Sequence, residues 1–148
     1  MAEAASGGER HPAVEVRSSA VAGHGWFATV DLPAGALVLR LPAAVDDTTR
    51  VADLGSDFPN HGCDPVLGWG DECSLATMVH VPAGTELLVD YAMSTVDDTW
   101  FLRCHCPSYR CRQMVEGSDW RIPVLQRRYA GWWAPYVARL VAAGGTTA

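Results

Sequence analysis

Short apolar runs separated by turn residues dominate residues 13–90 of the chain. Runs of this length, bounded by Gly, Pro or Asp, predict β-strands rather than helices. The predicted strands cover residues 14–17, 26–30, 36–41, 74–80 and 86–90. The small, polar segment that precedes them, residues 1–12, is expected to be a flexible tail.

One pattern occurs twice in this β-rich part, as VDLPAGA at residues 30–36 and as VHVPAGT at residues 79–85. In each copy Pro presets φ for a turn, and Gly supplies a positive φ at low cost. Each copy therefore predicts a turn that joins two strands and has no chemical role.

Beyond residue 115 the sequence carries helix signals. Pro123 and Pro135 each suit the first turn of a helix, and the two helices are expected to end near Tyr129 and before Gly144. Three tryptophans are expected to pack this region onto the sheets: Trp120, Trp132 and Trp133. The chain is thus expected to be mainly β, with short C-terminal helices.

The composition is that of one soluble domain. Of 148 residues, 49% are apolar and 19% are charged, which argues against disorder. No apolar run approaches the ~20 residues of a membrane span, and no signal peptide is recognised, so a cytoplasmic protein without a membrane partner is expected. The net charge of -6 weighs against direct nucleic-acid binding and is compatible with a basic, lysine-rich partner.

Three of the five cysteines stand within the segment CHCPSYRC, residues 104–111. In a reducing compartment such a cluster indicates metal binding, and thiolates that converge from one turn suit tetrahedral zinc. The fourth ligand could be His105, Cys73, Cys63 or water. His105 stands between two ligands in an extended stretch and is expected to point away, whereas Cys63 lies in a proline-flanked turn that can present a distant ligand. The alternative is a set of unrelated reduced thiols.

Four segments, in order, resemble the SET-domain lysine methyltransferases. GHGWFA at 23–28 is similar to the family's glycine loop, FPNHGCDP at 58–65 to its Asn-His-Ser-Cys-x-Pro-Asn segment, ELLVDY at 86–91 to its Glu-Leu-x-x-Asp-Tyr segment, and residues 104–111 to its post-SET Cys-x-Cys-x4-Cys. Each motif alone is weak evidence, but the four together cover most of the chain and resemble a small form with a post-SET zinc motif.

The resemblance implies a SET-like fold, in which several small curved sheets pack around a pseudoknot-like crossing where one segment passes under a loop. It divides the chain into the tail at 1–12, a SET-like domain at 13–103, a post-SET zinc knuckle at 104–115 and a C-terminal helical extension at 116–148.

The resemblance also implies the zinc ligands. The cysteine of the Asn-His segment joins the three downstream, so that Cys63, Cys104, Cys106 and Cys111 would hold a structural zinc. A closed site of four thiolates leaves no position for a substrate. Cys73 remains as a buried free thiol.

S-adenosylmethionine is the implied cofactor. Backbone groups of the glycine loop would hold its amino-acid end, since glycine allows close approach, and Asn60 and His61 offer polar partners. An aromatic residue before the knuckle, Phe101 or Trp100, would stack on adenine. The alternatives are a plain tight turn and an Asn60 side chain that caps its own turn. The implied cofactor contacts are His24, Gly25, Trp26, Asn60, His61 and Phe101.

Tyr91 is the implied catalytic residue. Its hydroxyl would line a channel in which a lysine ε-amine of a protein or peptide substrate takes the methyl group from the cofactor. The alternative is a tyrosine whose hydroxyl anchors the end of a strand.

The chain departs from the family pattern at several positions. Gly62 replaces a usual Ser, Val66 a usual Asn, Pro107 a usual Gly and Val89 a usual Phe or Tyr, and residues 42–59 are shorter than the family's insert. One wall of the peptide groove is therefore expected to be thin, or to come from the C-terminal helices or from a second subunit in a homodimer. These departures support a second hypothesis, a degenerate SET-like domain that is structural or binds a partner without transfer activity. A zinc-binding DNA module is disfavoured by the acidity and by the lack of a basic helix.

Overall fold

The computed structural model describes residues 8–144, and within them eight strands and two α-helices form. The strands are β1 (Glu9–Arg10), β2 (Val14–Ser18), β3 (His24–Ala28), β4 (Leu37–Arg40), β5 (Leu67–Asp71), β6 (Ser74–Thr77), β7 (Phe101–Arg103) and β8 (Met114–Glu116). The helices are α1 (Pro123–Arg128) and α2 (Pro135–Ala142), and 3₁₀ turns cover Val51–Asp57, Tyr91–Met93 and Asp119–Arg121.

The strands form three small antiparallel sheets, with the orders β1-β4-β6-β5, β2-β3 and β7-β8. This architecture confirms the mainly β class and the short C-terminal helices. The expected strands near residues 14, 36 and 74 are present, and the one expected at 26–30 begins earlier, at His24.

The N-terminal tail is shorter than expected. β1 pairs with β4, with Glu9 opposite Arg40 and Arg10 opposite Leu39. The charged side chains of β1 give no strand signal, because the pairing uses backbone groups alone. Residues 1–7 of the expected tail lie outside the described residues.

The two copies of the repeated pattern form the expected turns, with Gly35 at φ 83° and Gly84 at φ 88°. The strands that the first copy joins do not pair with each other, since β3 and β4 belong to different sheets. Instead the copies pair together, because Leu32 and Val81 exchange two backbone hydrogen bonds of 2.8 Å each. The repeat therefore ties the sheets to each other.

β5 is a strand that the hydrophobic pattern does not predict, because its glycines have low β propensity. A Cβ atom on Gly68 would lie 2.7 Å from the Cβ atom of Trp132, so glycine allows this tryptophan to pack on the sheet. Trp120 and Trp133 are buried in the core, whereas Trp132 is half-buried against Gly68. All three tryptophans therefore have a packing role, as expected. Among residues 8–144, neither helix has the length and apolarity of a membrane span.

Residues 86–90 are not a regular strand but form bridges to several segments. Phe27 bridges to Glu86, and Val89 bridges in parallel to both His61 and Leu67. The 62–66 loop thus begins and ends beside the same short segment. The chain crosses itself at this point, and the crossing puts the Asn-His segment next to Tyr91.

Candidate metal and cofactor site

The four cysteines assigned to zinc converge at the end of β7. The sulfur atoms of Cys63, Cys104, Cys106 and Cys111 all lie within 4.8 Å of one another. The Sγ atoms of Cys63 and Cys104 are 3.9 Å apart. Zinc–sulfur bonds of about 2.3 Å in a tetrahedron place sulfurs about 3.8 Å apart, so these residues fit a structural zinc ion.

Backbone and ring N–H groups surround these sulfurs. The N–H of Arg112 donates to Cys63 Sγ at 3.3 Å, and the N–H of Cys106 donates to Cys104 Sγ at 3.4 Å. Burial raises the pKa of Cys63 and raises the pKa of Cys104 to about 11. A bound dication would offset that cost by stabilising the thiolates.

The other two candidates for the fourth ligand lie apart from this cluster. His105 is exposed and is not part of the group of converging ligand atoms. Cys73 is half-buried between β5 and β6, where its Sγ lies 3.5 Å from Nη1 of Arg40. The expectation that Cys73 is buried is therefore corrected, because the tight turn that carries it faces solvent on one side.

A cavity of about 170 Å³ lies beside the cysteine cluster. It brings together three predicted site residues, Asn60, His61 and Tyr91. Four other lining residues belong to no motif of the sequence and were not predicted: Val21, Ala22, Leu102 and Arg103. Their position next to the glycine loop or next to Cys104 is the signal that could have found them.

His61 is buried and connects Tyr91 to the cysteine cluster. The backbone N–H of Tyr91 donates to Nδ1 of His61 at 3.0 Å, and Nε2 lies 3.4 Å from Cys63 Sγ. Burial lowers the pKa of His61 to about 4, so the ring is neutral at pH 7 and Nε2 carries the proton. Both ring nitrogens therefore contact protein groups.

Asn60 anchors the glycine loop. Its Nδ2 lies 2.9 Å from the carbonyl oxygen of Ala22, 3.0 Å from that of His24 and 3.1 Å from Oε2 of Glu86. The side chain thus bonds to distant segments rather than capping its own turn. Glu86 lies across Gly25, and a Cβ atom at this position would collide with its carboxylate. A side chain here would therefore have to displace Glu86 from its bond with Asn60.

Tyr91 is 8% exposed and lies at the centre of an aromatic group. Its hydroxyl donates to the carbonyl oxygen of Pro59 at 2.7 Å, and burial raises its pKa. Its ring lies 5.4 Å from that of His61 and 6.3 Å from that of Trp100, centroid to centroid. The side chain therefore lines the cavity while its hydroxyl is bonded to the protein.

The other four predicted cofactor contacts do not line this cavity: His24, Gly25, Trp26 and Phe101. Trp26 is 1% exposed in the core, where its Nε1 donates to the carbonyl oxygen of Ser56 at 3.2 Å. Phe101 is 64% exposed on β7, and the next residue, Leu102, lines the cavity. Trp100 is half-buried and lines a second cavity, of about 460 Å³, together with residues 47–51 and 95–97.

No protein-family model and no curated protein sequence matches the chain. Two similar solved structures are those of KRYPTONITE, one in complex with mCHG DNA and SAH and one with mCHH DNA, H3(1-15) peptide and SAH. The first has a TM-score of 0.52 and 24% identity, and covers 68% of this chain and 28% of that chain. The second has a TM-score of 0.51 and 22% identity, and covers 68% of this chain and 29% of that chain.

The chain therefore spans less than a third of the length of these neighbours. At this identity the likeness shows the fold. Small antiparallel sheets, a crossing at residues 86–91 and this likeness together establish a mainly β, SET-like fold.

Proposed function

We propose that the protein is an S-adenosylmethionine-dependent methyltransferase that acts on the ε-amine of a protein lysine. The observation that carries this proposal is the cavity in which Asn60, His61 and Tyr91 meet beside the cysteine cluster. The two KRYPTONITE structures contain SAH, and one contains an H3 peptide, which supports the same kind of cofactor and substrate here.

The cofactor would supply an electrophilic methyl group on a positive sulfonium. Within the cavity, Leu102 and Val21 offer apolar surface to a ring system, and Arg103 offers a cation to a carboxylate. The cavity volume of about 170 Å³ is below the ~300 Å³ of a small ligand pocket, so the rim of this open cavity would complete the site. The glycine loop, held by Asn60, forms part of that rim.

The lysine would enter from the larger cavity, which Trp100 lines. Asp47 and Asp97 line that cavity, and Asp97 also pairs with Arg50 at 2.9 Å. Acidic groups at its mouth would attract a basic peptide. Residues 47–51 belong to the short insert and supply one wall of this cavity.

The transfer needs orientation more than bond chemistry from the protein. The lone pair of a neutral ε-amine would form the new N–C bond while the C–S bond breaks, and the amine then releases a proton to solvent. Desolvation and a nearby positive charge both lower the pKa of a lysine, so a dedicated base is not required. Alignment of two bound reactants is worth up to ~7–11 kcal/mol, and the ring of Tyr91 would define the point where they meet.

A structural zinc ion on the four cysteines and a reducing, cytoplasmic setting complete the proposal. Zinc would fix the knuckle that directly follows Leu102 and Arg103 of the cavity lining. The partner would be a basic protein. Because the KRYPTONITE structure contains DNA, nucleic acid is the second class of partner to test.

One observation favours a second candidate, a SET-like partner-binding module without transfer activity. The Tyr91 hydroxyl and the Asn60 amide both bond to protein groups. These bonds are what a purely structural site requires.

The test is methyl transfer from labelled S-adenosylmethionine to a panel of lysine-rich proteins that includes histone H3, with DNA as a further substrate. Methylated lysine detected by mass spectrometry is the expected result. Cofactor binding without transfer to any substrate would favour the second candidate. If the protein neither binds S-adenosylmethionine nor transfers a methyl group, the proposal is overturned.

A further inference from the structure

Asp90 is fully buried and lies directly before Tyr91. Its carboxylate accepts hydrogen bonds from both terminal nitrogens of Arg112 at 2.7 and 3.0 Å, and from the hydroxyl of Tyr129 at 2.7 Å. It also accepts from the backbone N–H of Ala92 at 2.9 Å. Although burial favours the neutral acid, the bonds from Arg112 hold the pKa of Asp90 below its usual value.

Arg112 connects three parts of the molecule. It directly follows Cys111, and its backbone N–H donates to Cys63 Sγ at 3.3 Å. Its Nε donates to Oδ2 of Asp119 at 2.9 Å, in the C-terminal extension. One side chain, 16% exposed, thus joins the cysteine cluster, the segment of Tyr91 and the C-terminal region.

The backbone after Arg112 is strained. Gln113 has φ 66°, a left-handed conformation that residues with a side chain adopt rarely. The N–H of Met114 donates to the carbonyl oxygen of Arg112 at 2.7 Å, which closes a three-residue turn. Strain of this kind persists where the surrounding contacts impose it, and here the contacts of Arg112 do so.

The 3₁₀ turn of Tyr91 is held at two points by groups that reach the cluster. The N–H of Tyr91 bonds to His61, whose other ring nitrogen contacts Cys63. The N–H of Ala92 bonds to Asp90, which Arg112 holds. A movement of the knuckle would therefore shift Tyr91 through both of these hydrogen bonds.

We infer that Arg112 is a positioning residue for Tyr91, and that it makes the order of the cofactor cavity depend on the state of the cysteine cluster. Removal of Arg112 leaves a buried carboxylate without its counter-charge, which must draw in water or rotate. Either change displaces the adjacent Tyr91. The catalytic consequence rests on the proposed function, whereas the coupling itself does not.

The first test compares Arg112→Lys with Arg110→Lys by hydrogen exchange. Lysine keeps the charge but cannot hold Asp90 through two parallel bonds and Asp119 as well. Arg110 is a matched control, since it lies in the same knuckle but is exposed and 3.4 Å from Asp64. We expect about tenfold faster exchange at residues 90–93 in Arg112→Lys and no change in Arg110→Lys, with zinc content equal to wild type in both. Wild-type exchange rates in Arg112→Lys would overturn the inference.

If Arg112→Lys does not fold, the same exchange measurement is made on Tyr129→Phe. This variant removes one hydrogen-bond donor from Asp90 and leaves Arg112 in place. Faster exchange confined to residues 90–93 supports the coupling, and a uniform or absent change overturns it. Chelation of zinc from the wild-type protein is expected to accelerate exchange in the same segment.

Comparison of kcat with KM distinguishes a positioning role of Arg112 from a general loss of structure. In Arg112→Lys we expect kcat for methyl transfer to fall about tenfold while KM for S-adenosylmethionine changes less than about twofold. Equal kcat in the two proteins would overturn the positioning role. A wild-type protein that transfers no methyl group would refute the proposed function and leave the exchange results to decide the coupling.

Discussion

The cysteine cluster and the cavity beside it share a boundary, yet they are built in different ways. Three of the four sulfurs come from eight consecutive residues, and backbone N–H groups donate to the sulfurs of Cys104 and Cys63. The cavity takes its lining from four separate stretches of the chain: residues 21–22, 60–61, 91 and 102–105. A site built from one turn is robust, whereas a site assembled from several segments depends on the contacts that hold those segments together.

The largest expected effect is the loss of zinc from the cysteine cluster. Cys63→Ser should lose stoichiometric zinc and several kcal/mol of stability, because a structural zinc ion contributes ~10–16 kcal/mol of binding free energy in small domains. Cys73→Ser is the matched control and should keep both. Elemental analysis and thermal melting measure the two quantities. Loss of zinc in Cys73→Ser with retention in Cys63→Ser would show that the ligand set is wrong.

Tyr91→Phe tests the cavity side. Methyl transfer should fall by about tenfold or more, since ~1.4 kcal/mol of lost transition-state stabilisation suffices for that. Stability should also fall by about 1 kcal/mol, because the buried carbonyl of Pro59 loses its donor. Tyr109→Phe is the control, since Tyr109 is 88% exposed. A Tyr91→Phe protein that is less stable in urea but equally active would remove Tyr91 from catalysis.

Asn60→Ala should weaken cofactor binding by about 1–2 kcal/mol. The physical reason is loss of the bonds that tie the glycine loop to the cavity, at the carbonyl groups of Ala22 and His24. Calorimetric titration with S-adenosylhomocysteine measures the effect. Identical affinities for wild type and variant would show that Asn60 neither contacts the cofactor nor affects its binding through the glycine loop.

Gly62→Ser restores the residue usual in the resembled family and should nonetheless destabilise the protein by about 1 kcal/mol. A Cβ atom at position 62 would lie 2.6 Å from Cδ1 of Leu88. Leu88→Ala in the same chain should reduce this added cost, because it removes Cδ1 and leaves only the Cβ contact of 3.0 Å. A double-mutant cycle of urea unfolding measures the difference. Additive effects of the two substitutions on the free energy of unfolding would show that contact with Leu88 is not the cause of the destabilisation.

The smallest expected effect concerns the strained turn of the knuckle. Gln113→Gly should stabilise the protein by about 0.5 kcal/mol, because relief of the left-handed conformation outweighs the greater entropy of glycine in the unfolded chain. Thermal melting with zinc present measures it. A lower melting temperature would show that the side chain of Gln113 contributes more than the turn costs.

The sequence predicts the two sites unequally, for a physical reason. The ligand role of Cys104, Cys106 and Cys111 follows from spacing, since neighbours along a turn are neighbours in space. The bonds of Tyr91 to Pro59 and of Asn60 to the glycine loop depend on the crossing at residues 86–91, which no local pattern specifies. Strands such as β1 and β7 escape prediction for the same reason, because partner strands rather than apolar runs define them.

The most direct measurement is a crystal structure of the protein with S-adenosylhomocysteine. The account predicts that the ligand lies between the glycine loop and the zinc knuckle, in contact with Asn60, His61 and Leu102, and that it points its sulfur toward Tyr91. A ligand bound elsewhere, or no ligand bound at saturating concentration, would contradict it.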